Sequence, residues 1–246
     1  MDVYGLIGFP LGHSFSKKYF TEKFDRENLA GRKFELFPLD NIDDLPALLD
    51  SKPELRGLAV TIPYKESVLL YLTALSDNAK KIGAVNCIKI FGGKLIGYNT
   101  DAIGFEKSLV PLLQSNHTKA LLLGTGGASK AVQFILTKLG IEFLLVSRQK
   151  KNETGYIQYN SVDEKLLKEY PLIINATPVG MSPHENARPE IAYEYLDNKN
   201  LLYDLIYTPA LTSFLKAGIE KGAVVKNGYE MLVLQAEENW RIWNDS

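Results

Sequence analysis

A strand, a glycine turn and a helix in immediate succession constrain this chain more than any other stretch. Lys119 to Ser129 reads KALLLGTGGAS. Ala120 to Leu123 is a short apolar run of the kind buried on both faces of a sheet. It breaks into Gly124-Thr125-Gly126-Gly127. Ala128 to Leu139 then carries apolar residues at helical spacing up to Gly140, a residue suited to the position just past a helix end. Such a unit binds phosphate, because glycines let the backbone approach a pyrophosphate and the helix N-terminus presents N–H groups to the anion. Ser129 replaces the third glycine of the usual fingerprint, so the motif alone leaves open a plain glycine-rich turn between buried elements. Ile141 to Val146 reads as a second buried strand, and an NAD-selective pattern places an acidic residue at its C-terminal end. This chain has Ser147-Arg148-Gln149-Lys150-Lys151 instead. Cations without a carboxylate suit a ribose 2′-phosphate, which a guanidinium holds bidentately; the ordinary alternative is a solvated basic turn. Loop and basic turn together favour NADP over NAD.

Strand and helix alternate nearly throughout, which predicts α/β architecture with parallel or mostly parallel sheets. Strands are expected at 3–9, 34–38, 58–62, 172–176 and 201–206, and helices at 16–29, from Asn41, at 65–72 and at 77–82. Cys87 to Phe91 and Lys94 to Tyr98 flank Gly92-Gly93, a hairpin signal. A helix opens at Asp101 or just before and runs to about Gln114. Val179 to Arg188, rich in Pro, Gly and polar residues, reads as a mobile loop. A long final helix runs from Gly228 to about Trp243. These boundaries predict a first domain over 1–101, a Rossmann-type dinucleotide-binding domain over 102–228, and a C-terminal helix, about 229–246, that returns to the first domain.

Composition excludes several classes. Apolar residues make up 46% of the 246, enough for one large core or two modest ones. Net charge is −1 with both signs interspersed, unlike a nucleic-acid or membrane-surface binder. Cys87 is the single cysteine, so no intrachain disulfide or cysteine metal cluster can form, and it reads as a small buried hydrophobe. His13, His117 and His184 lack ligand spacing, and no metal is expected. No run approaches the roughly 18 apolar residues of a membrane span, and no charged-then-apolar leader is visible; a cytoplasmic location is the expectation.

A cofactor half leaves the substrate to be read elsewhere. Lys65 follows a strand and a proline. Reducing a ketone by hydride leaves an alkoxide, which an ammonium can protonate or stabilise; equally, it is a solvated first-turn lysine. Asp101 either caps the helix that follows or fixes that ammonium and accepts a substrate hydroxyl. Asn86 is a turn residue or a bidentate partner for a polyol. Ser14 and Ser16 are helix caps or carboxylate ligands, and Thr61 is a strand threonine or a polar pocket floor. Singly, each structural account is as good as its rival.

Jointly these residues resemble the shikimate dehydrogenase family. The resemblance rests on GFPLGHSFS (8–16), VTIPYKE (60–66), GAVN (83–86), GYNTD (97–101), GTGGAS (124–129), NATPVGM (175–181), YDLIYTP (203–209) and NGYEMLVLQA (227–236), and it covers nearly the whole chain. It implies a two-domain enzyme of aromatic amino-acid biosynthesis that reduces 3-dehydroshikimate to shikimate with NADPH, substrate lying in the first domain. Lys65 and Asp101 would be the catalytic pair. Ser14, Ser16, Thr61, Asn86, Asp101, Tyr207 and Gln235 would contact substrate. Gly124, Thr125, Gly126, Gly127, Ala128, Ser147, Arg148, Lys150, Leu205, Gly228, Met231 and Asp77 would contact NADP. The implied partner is a small molecule, with the enzyme a monomer or homodimer. The chain departs from the family pattern at Phe15, Lys17, Phe20-Thr21 and Ala59, and Ser147 and Gln149 replace the common Asn and Thr beside Arg148. Alternatives are a quinate/shikimate dehydrogenase with relaxed cofactor use, a methylenetetrahydrofolate dehydrogenase, and a non-catalytic NADP-binding module.

Overall fold

A computed structural model describes residues 1–12, 14–149 and 153–245. The chain divides into two compact units, Met1–Thr100 with Gln235–Ser246, and Asp101–Leu234. The division falls at the start of one helix and inside the last one.

The first unit contains β1 (Asp2–Gly8), α1 (Phe15–Arg26), β2 (Arg32–Pro38), α2 (Leu45–Ser51), β3 (Leu55–Val60), β4 (Ala74–Leu75), α3 (Asp77–Ile82), β5 (Cys87–Phe91) and β6 (Lys94–Tyr98). Its sheet has the order β2-β1-β3-β5-β6-β4. β1 runs parallel to β2 and β3, and β4 parallel to β6. β5 is antiparallel to both neighbours. Gly92 and Gly93 cause that reversal: both have positive φ, 56° and 73°, the conformation a two-residue hairpin turn needs.

The helix expected at 65–72 is a short 3-10 turn at Ser67–Tyr71. The Lys65 carbonyl, which a helix would bond to residue 69, instead accepts the Val85 N–H at 2.7 Å. A tertiary hydrogen bond outcompetes the helical one. In the second unit, α4 (Thr100–Leu109) stops short of Gln114 because Pro111 has no N–H to extend it, and a 3-10 turn at Val110–Leu112 follows.

After α4 come β7 (Lys119–Leu123), α5 (Gly127–Lys138), β8 (Glu142–Ser147), β9 (Tyr156–Gln158), α6 (Glu164–Glu169), β10 (Leu172–Asn175), β11 (Leu201–Asp204), α7 (Ser213–Glu220), β12 (Val224–Lys226) and α8 (Tyr229–Asn244). Every pair in the β12-β11-β10-β7-β8-β9 sheet is parallel. Counted from β7, this is the order 3-2-1-4-5-6 read from the other edge, in which the strand order reverses between β7 and β10 and opens a crevice at their carboxyl ends. The edge strands β9 and β12, Tyr-Ile-Gln and Val-Val-Lys, are three residues each, too short to show a strand period.

The core of the second unit gathers Leu121, Val146, Ile173, Leu202 and Phe214, all fully buried. In the first unit, the last turns of α8 complete the core. Trp243 stacks on Tyr4 with 5.1 Å between ring centroids and donates Nε1–H to the Ile88 carbonyl at 3.0 Å. Gly57 makes room for it, since a Cβ there would fall 2.3–2.5 Å from the indole. The Val179–Arg188 segment has no regular element, but it is tied down. Asn175 Nδ2 donates to the Val179 carbonyl, Ser213 Oγ donates to the Glu185 carbonyl, and the Arg188 guanidinium lies 4.3 Å from the Tyr193 ring centre.

Candidate active site

In the first unit, three segments far apart in sequence meet at the carboxyl end of β3. Thr61 N–H donates to the Ile7 carbonyl at 3.0 Å, and Val60 N–H to the Asn86 carbonyl at 2.9 Å. Asn86 N–H donates to the Tyr98 carbonyl at 3.1 Å, and Val85 N–H bonds the Lys65 carbonyl. Thr61, Lys65, Asn86 and Thr100 are thereby gathered. Asn86 is only 3% exposed, so its amide needs internal partners. Its Oδ1 accepts the Thr100 N–H at 2.6 Å; its Nδ2 donates to Thr100 Oγ1 at 2.9 Å and to Gln235 Oε1 at 3.4 Å. Thr100 Oγ1 in turn donates to Asn239 Oδ1 at 2.6 Å, and Asn239 Nδ2 donates to Gln235 Oε1 at 3.4 Å. Gln235 therefore turns its oxygen into the network and its NH2 the other way.

Thr100 and Asn239 were not among the sequence candidates. Asn239 lies four residues after Gln235, hence on the same helix face, and that spacing was the available signal. Ser14 caps α1, its Oγ accepting the Lys17 N–H at 3.4 Å, and Ser16 sits in the helix's first turn; both are half-buried. Buried Lys23 bonds Glu27 and Glu237, and Tyr19 donates to Glu237, which ties α1 to the Gln235 stretch of α8. Burial alone would lower the Lys23 pKa, but these carboxylates outweigh it and raise it. Asp77 is exposed in the first turn of α3, 3.8 Å from Lys80. Asp101, which opens the second unit, is a buried acid in the first turn of α4, where the helix dipole favours a carboxylate.

In the second unit, Gly124 and Gly126 of the glycine turn face different surroundings. Gly124 has φ 101°, and a Cβ there would lie 2.7 Å from the Thr177 methyl. Gly126 caps α5 at an ordinary φ of −80°, and a Cβ there would meet nothing within 4 Å. Internal packing thus fixes Gly124, whereas Gly126 keeps the space above the helix N-terminus open. Thr125 is exposed, and Gly127 and Ala128 begin α5, whose first turn leaves N–H groups without intrahelical partners. Ser129, in place of the third glycine, is fully buried and accepts a bond from Gln133 Nε2 at 3.1 Å.

At the end of β8, Ser147 Oγ accepts the Gln149 N–H at 3.2 Å and Arg148 is exposed. Lys150, Lys151 and His13 lie outside the described residues. Leu205 N–H donates to the Asn175 carbonyl at 2.9 Å. Gly228 abuts Leu205 so closely that a Cβ would stand 2.1 Å from its oxygen. Met231 is buried in the first turn of α8, and burial raises the pKa of half-buried Tyr207. Sequence reasoning also missed Asp204, fully buried at the end of β11, whose carboxyl burial pushes up to about 6 against hydrogen bonds from Thr212, Ile206 and Asn175.

The strand order, the glycine turn at β7 and the cation after β8 define a Rossmann-type dinucleotide-binding protein, here joined to a second α/β unit. The family described as the shikimate dehydrogenase substrate binding domain matches residues 6–88. The protein named shikimate dehydrogenase (NADP(+)) from Carboxydothermus hydrogenoformans is 40% identical, over 96% of this chain and 90% of its own. A crystal structure of shikimate dehydrogenase from Aquifex aeolicus superposes with a TM-score of 0.87 at 34% identity, covering 99% of this chain and 92% of that one. The shikimate 5-dehydrogenase of Thermus thermophilus, solved in complex with NADP(H) and shikimate, gives 0.86 at 31% identity, with 99% and 94% covered. The chain belongs to the shikimate dehydrogenase family.

Proposed function

We propose that this chain catalyses the reversible, NADPH-dependent reduction of 3-dehydroshikimate to shikimate. The observation that carries this reading is the convergence of Lys65, Asn86, Thr100 and Gln235 at one end of the first unit's sheet. Four stretches distant in the chain are held there by hydrogen bonds to or beside a buried amide. The full-length kinship with NADP-dependent shikimate dehydrogenases supports it.

The residues present fit NADP. Gly126 leaves room over the α5 N-terminus for a pyrophosphate, and Arg148 is exposed where a 2′-phosphate needs a cation. NADPH, when bound, supplies hydride. The Gly124–Ala128 turn would hold its pyrophosphate, and Ser147, Arg148 and Lys150 its 2′-phosphate. Leu205, Gly228, Met231 and Asp77 would line the remainder. Ser14 and Ser16 would bind the substrate carboxylate, while Thr61, Asn86, Tyr207 and Gln235 would hold its ring hydroxyls. Lys65 stabilises and protonates the nascent alkoxide, with Asp101 orienting it and accepting the neighbouring hydroxyl. The substrate is a small molecule, handled in the cytoplasm by a monomer or homodimer. Among the described residues, no helix is long and apolar enough to cross a membrane.

The test is a steady-state assay at the NADPH absorbance band with shikimate and quinate, each with NADP⁺ and NAD⁺. Turnover is expected with shikimate and NADP⁺. No turnover with any pair would overturn the reading, and a preference for quinate with NAD⁺ would replace it.

A further inference from the structure

The reduction makes no use of the most deeply buried acid in the second unit. Asp204 has no exposed surface. Its Oδ1 accepts from Asn175 Nδ2 and from the Ile206 N–H, each at 3.0 Å, and its Oδ2 accepts from Thr212 Oγ1 at 2.6 Å. Three donors, one at the end of β10 and two from the stretch that follows β11, converge on one carboxylate. An ionised carboxylate only accepts, so it compels Asn175 to present its NH2 and turn its own oxygen outward.

That oxygen accepts the Thr177 N–H at 3.1 Å and the Thr177 hydroxyl at 2.6 Å. Thr177 Oγ1 then accepts the Val179 N–H at 3.2 Å. Thr177 is the residue whose methyl sits against Gly124, at the wall of the phosphate turn. The other arm leads elsewhere. Ile206 and Thr212 bracket the loop bearing Tyr207, and the Ile206 carbonyl accepts the Gly228 N–H at 3.0 Å. Thr212 also caps α7, accepting the Leu215 N–H at 3.3 Å. Burial disfavours this charge even against three hydrogen bonds. An apolar residue there would carry no such cost but could accept none of these three bonds.

We propose that Asp204 is a positioning residue that sets both walls of the dinucleotide crevice together. Through Asn175 and Thr177 it fixes the loop packed on the Gly124 turn; through Ile206 and Thr212 it fixes the loop carrying Leu205 and Tyr207. The proposal rests on the NADP-dependent reading above and adds the device that holds that site in shape before any ligand arrives.

Two measurements test it: NADP⁺ affinity by titration calorimetry, and amide hydrogen exchange at Thr177, Val179 and Ile206 in ligand-free protein. In D204A, exchange at these amides should quicken at least tenfold and the NADP⁺ Kd should rise at least tenfold. D204N, whose oxygen still accepts from Asn175 and Ile206, should bind NADP⁺ within threefold of wild type. If D204A does not fold, single-arm variants decide. N175A should raise the NADP⁺ Kd fivefold or more while Ile206 stays protected, and T212V should raise that Kd threefold or more and quicken exchange at Ile206 while Thr177 and Val179 stay protected. A merely structural acid would not produce that split. A folded D204A with wild-type exchange and affinity overturns the proposal, as does an N175A with wild-type affinity. If wild type fails to oxidise shikimate, the functional reading falls separately, because the exchange measurement needs neither substrate nor turnover.

Discussion

Replacing Gly57 with alanine tests how the last helix is seated on the first unit. The new Cβ would lie 2.3 Å from Trp243 Cδ1, 2.4 Å from Nε1 and 2.5 Å from Cγ. Ordinary contact begins near 3.4 Å, so the indole must withdraw by about 1 Å in a close-packed interior. Overpacking of this kind costs about 1–3 kcal/mol. Withdrawal also stretches the Nε1–Ile88 hydrogen bond, now 3.0 Å, at a cost of about 1 kcal/mol more. G57A should therefore destabilise the protein by about 2–4 kcal/mol, below the about 3–5 kcal/mol expected for deleting a buried tryptophan outright. The assay is urea unfolding of G57A, W243L and the double variant. With the indole gone the methyl has space, so G57A in the W243L background should cost under about 1 kcal/mol, a coupling of at least about 1 kcal/mol. Because the same helix carries Gln235 and Asn239, the shikimate KM of G57A should rise more than its NADP⁺ KM. Additivity within about 0.5 kcal/mol would refute the argument.

Other outcomes follow from the site. K65A should lower kcat by about 10²–10⁴-fold, the range for a lost general acid, with NADP⁺ affinity unchanged by fluorescence titration; a near-normal rate would remove Lys65 from its role. R148A should weaken NADPH by roughly 10–100-fold, the equivalent of a lost charge-assisted bond, and NADH far less. Equal losses would defeat the 2′-phosphate assignment. Burial raises the Asp204 carboxyl from 3.8 to about 6, so its favourable contribution is complete below 3.8 and lost as pH rises through 6. At about 1.4 kcal/mol per pH unit, that gap is worth about 3 kcal/mol. The stability of wild type relative to D204N, from urea unfolding, should fall by about that amount between pH 4 and pH 7. A flat difference would mean the acid is not desolvated.

Much of this was legible in the chain because the signals were local. The run KALLLGTGGAS contains its own strand, turn and helix, and Gly92-Gly93 contains its own reversal. Lys65 to Leu72 misled for the opposite reason: a helix was expected there, but the Lys65 carbonyl is claimed by Val85, 20 positions on. β9 and β12 went unread because three residues are too few to show a period, and each is held in the sheet by its neighbour's backbone.

By itself the sequence determined the α/β class, the glycine turn between β7 and α5 and the cation that follows β8, since each depends on neighbours within a few positions; the candidate site residues came only from the resemblance of motifs spread along the chain. Only the tertiary structure decided which amides face one another, that Thr100 and Asn239 complete the Asn86 network, and that one buried carboxylate gathers Asn175, Ile206 and Thr212. Hydrogen bonds between segments as many as 218 positions apart leave no periodicity in the chain; they exist only once the sheets have closed and water has been excluded.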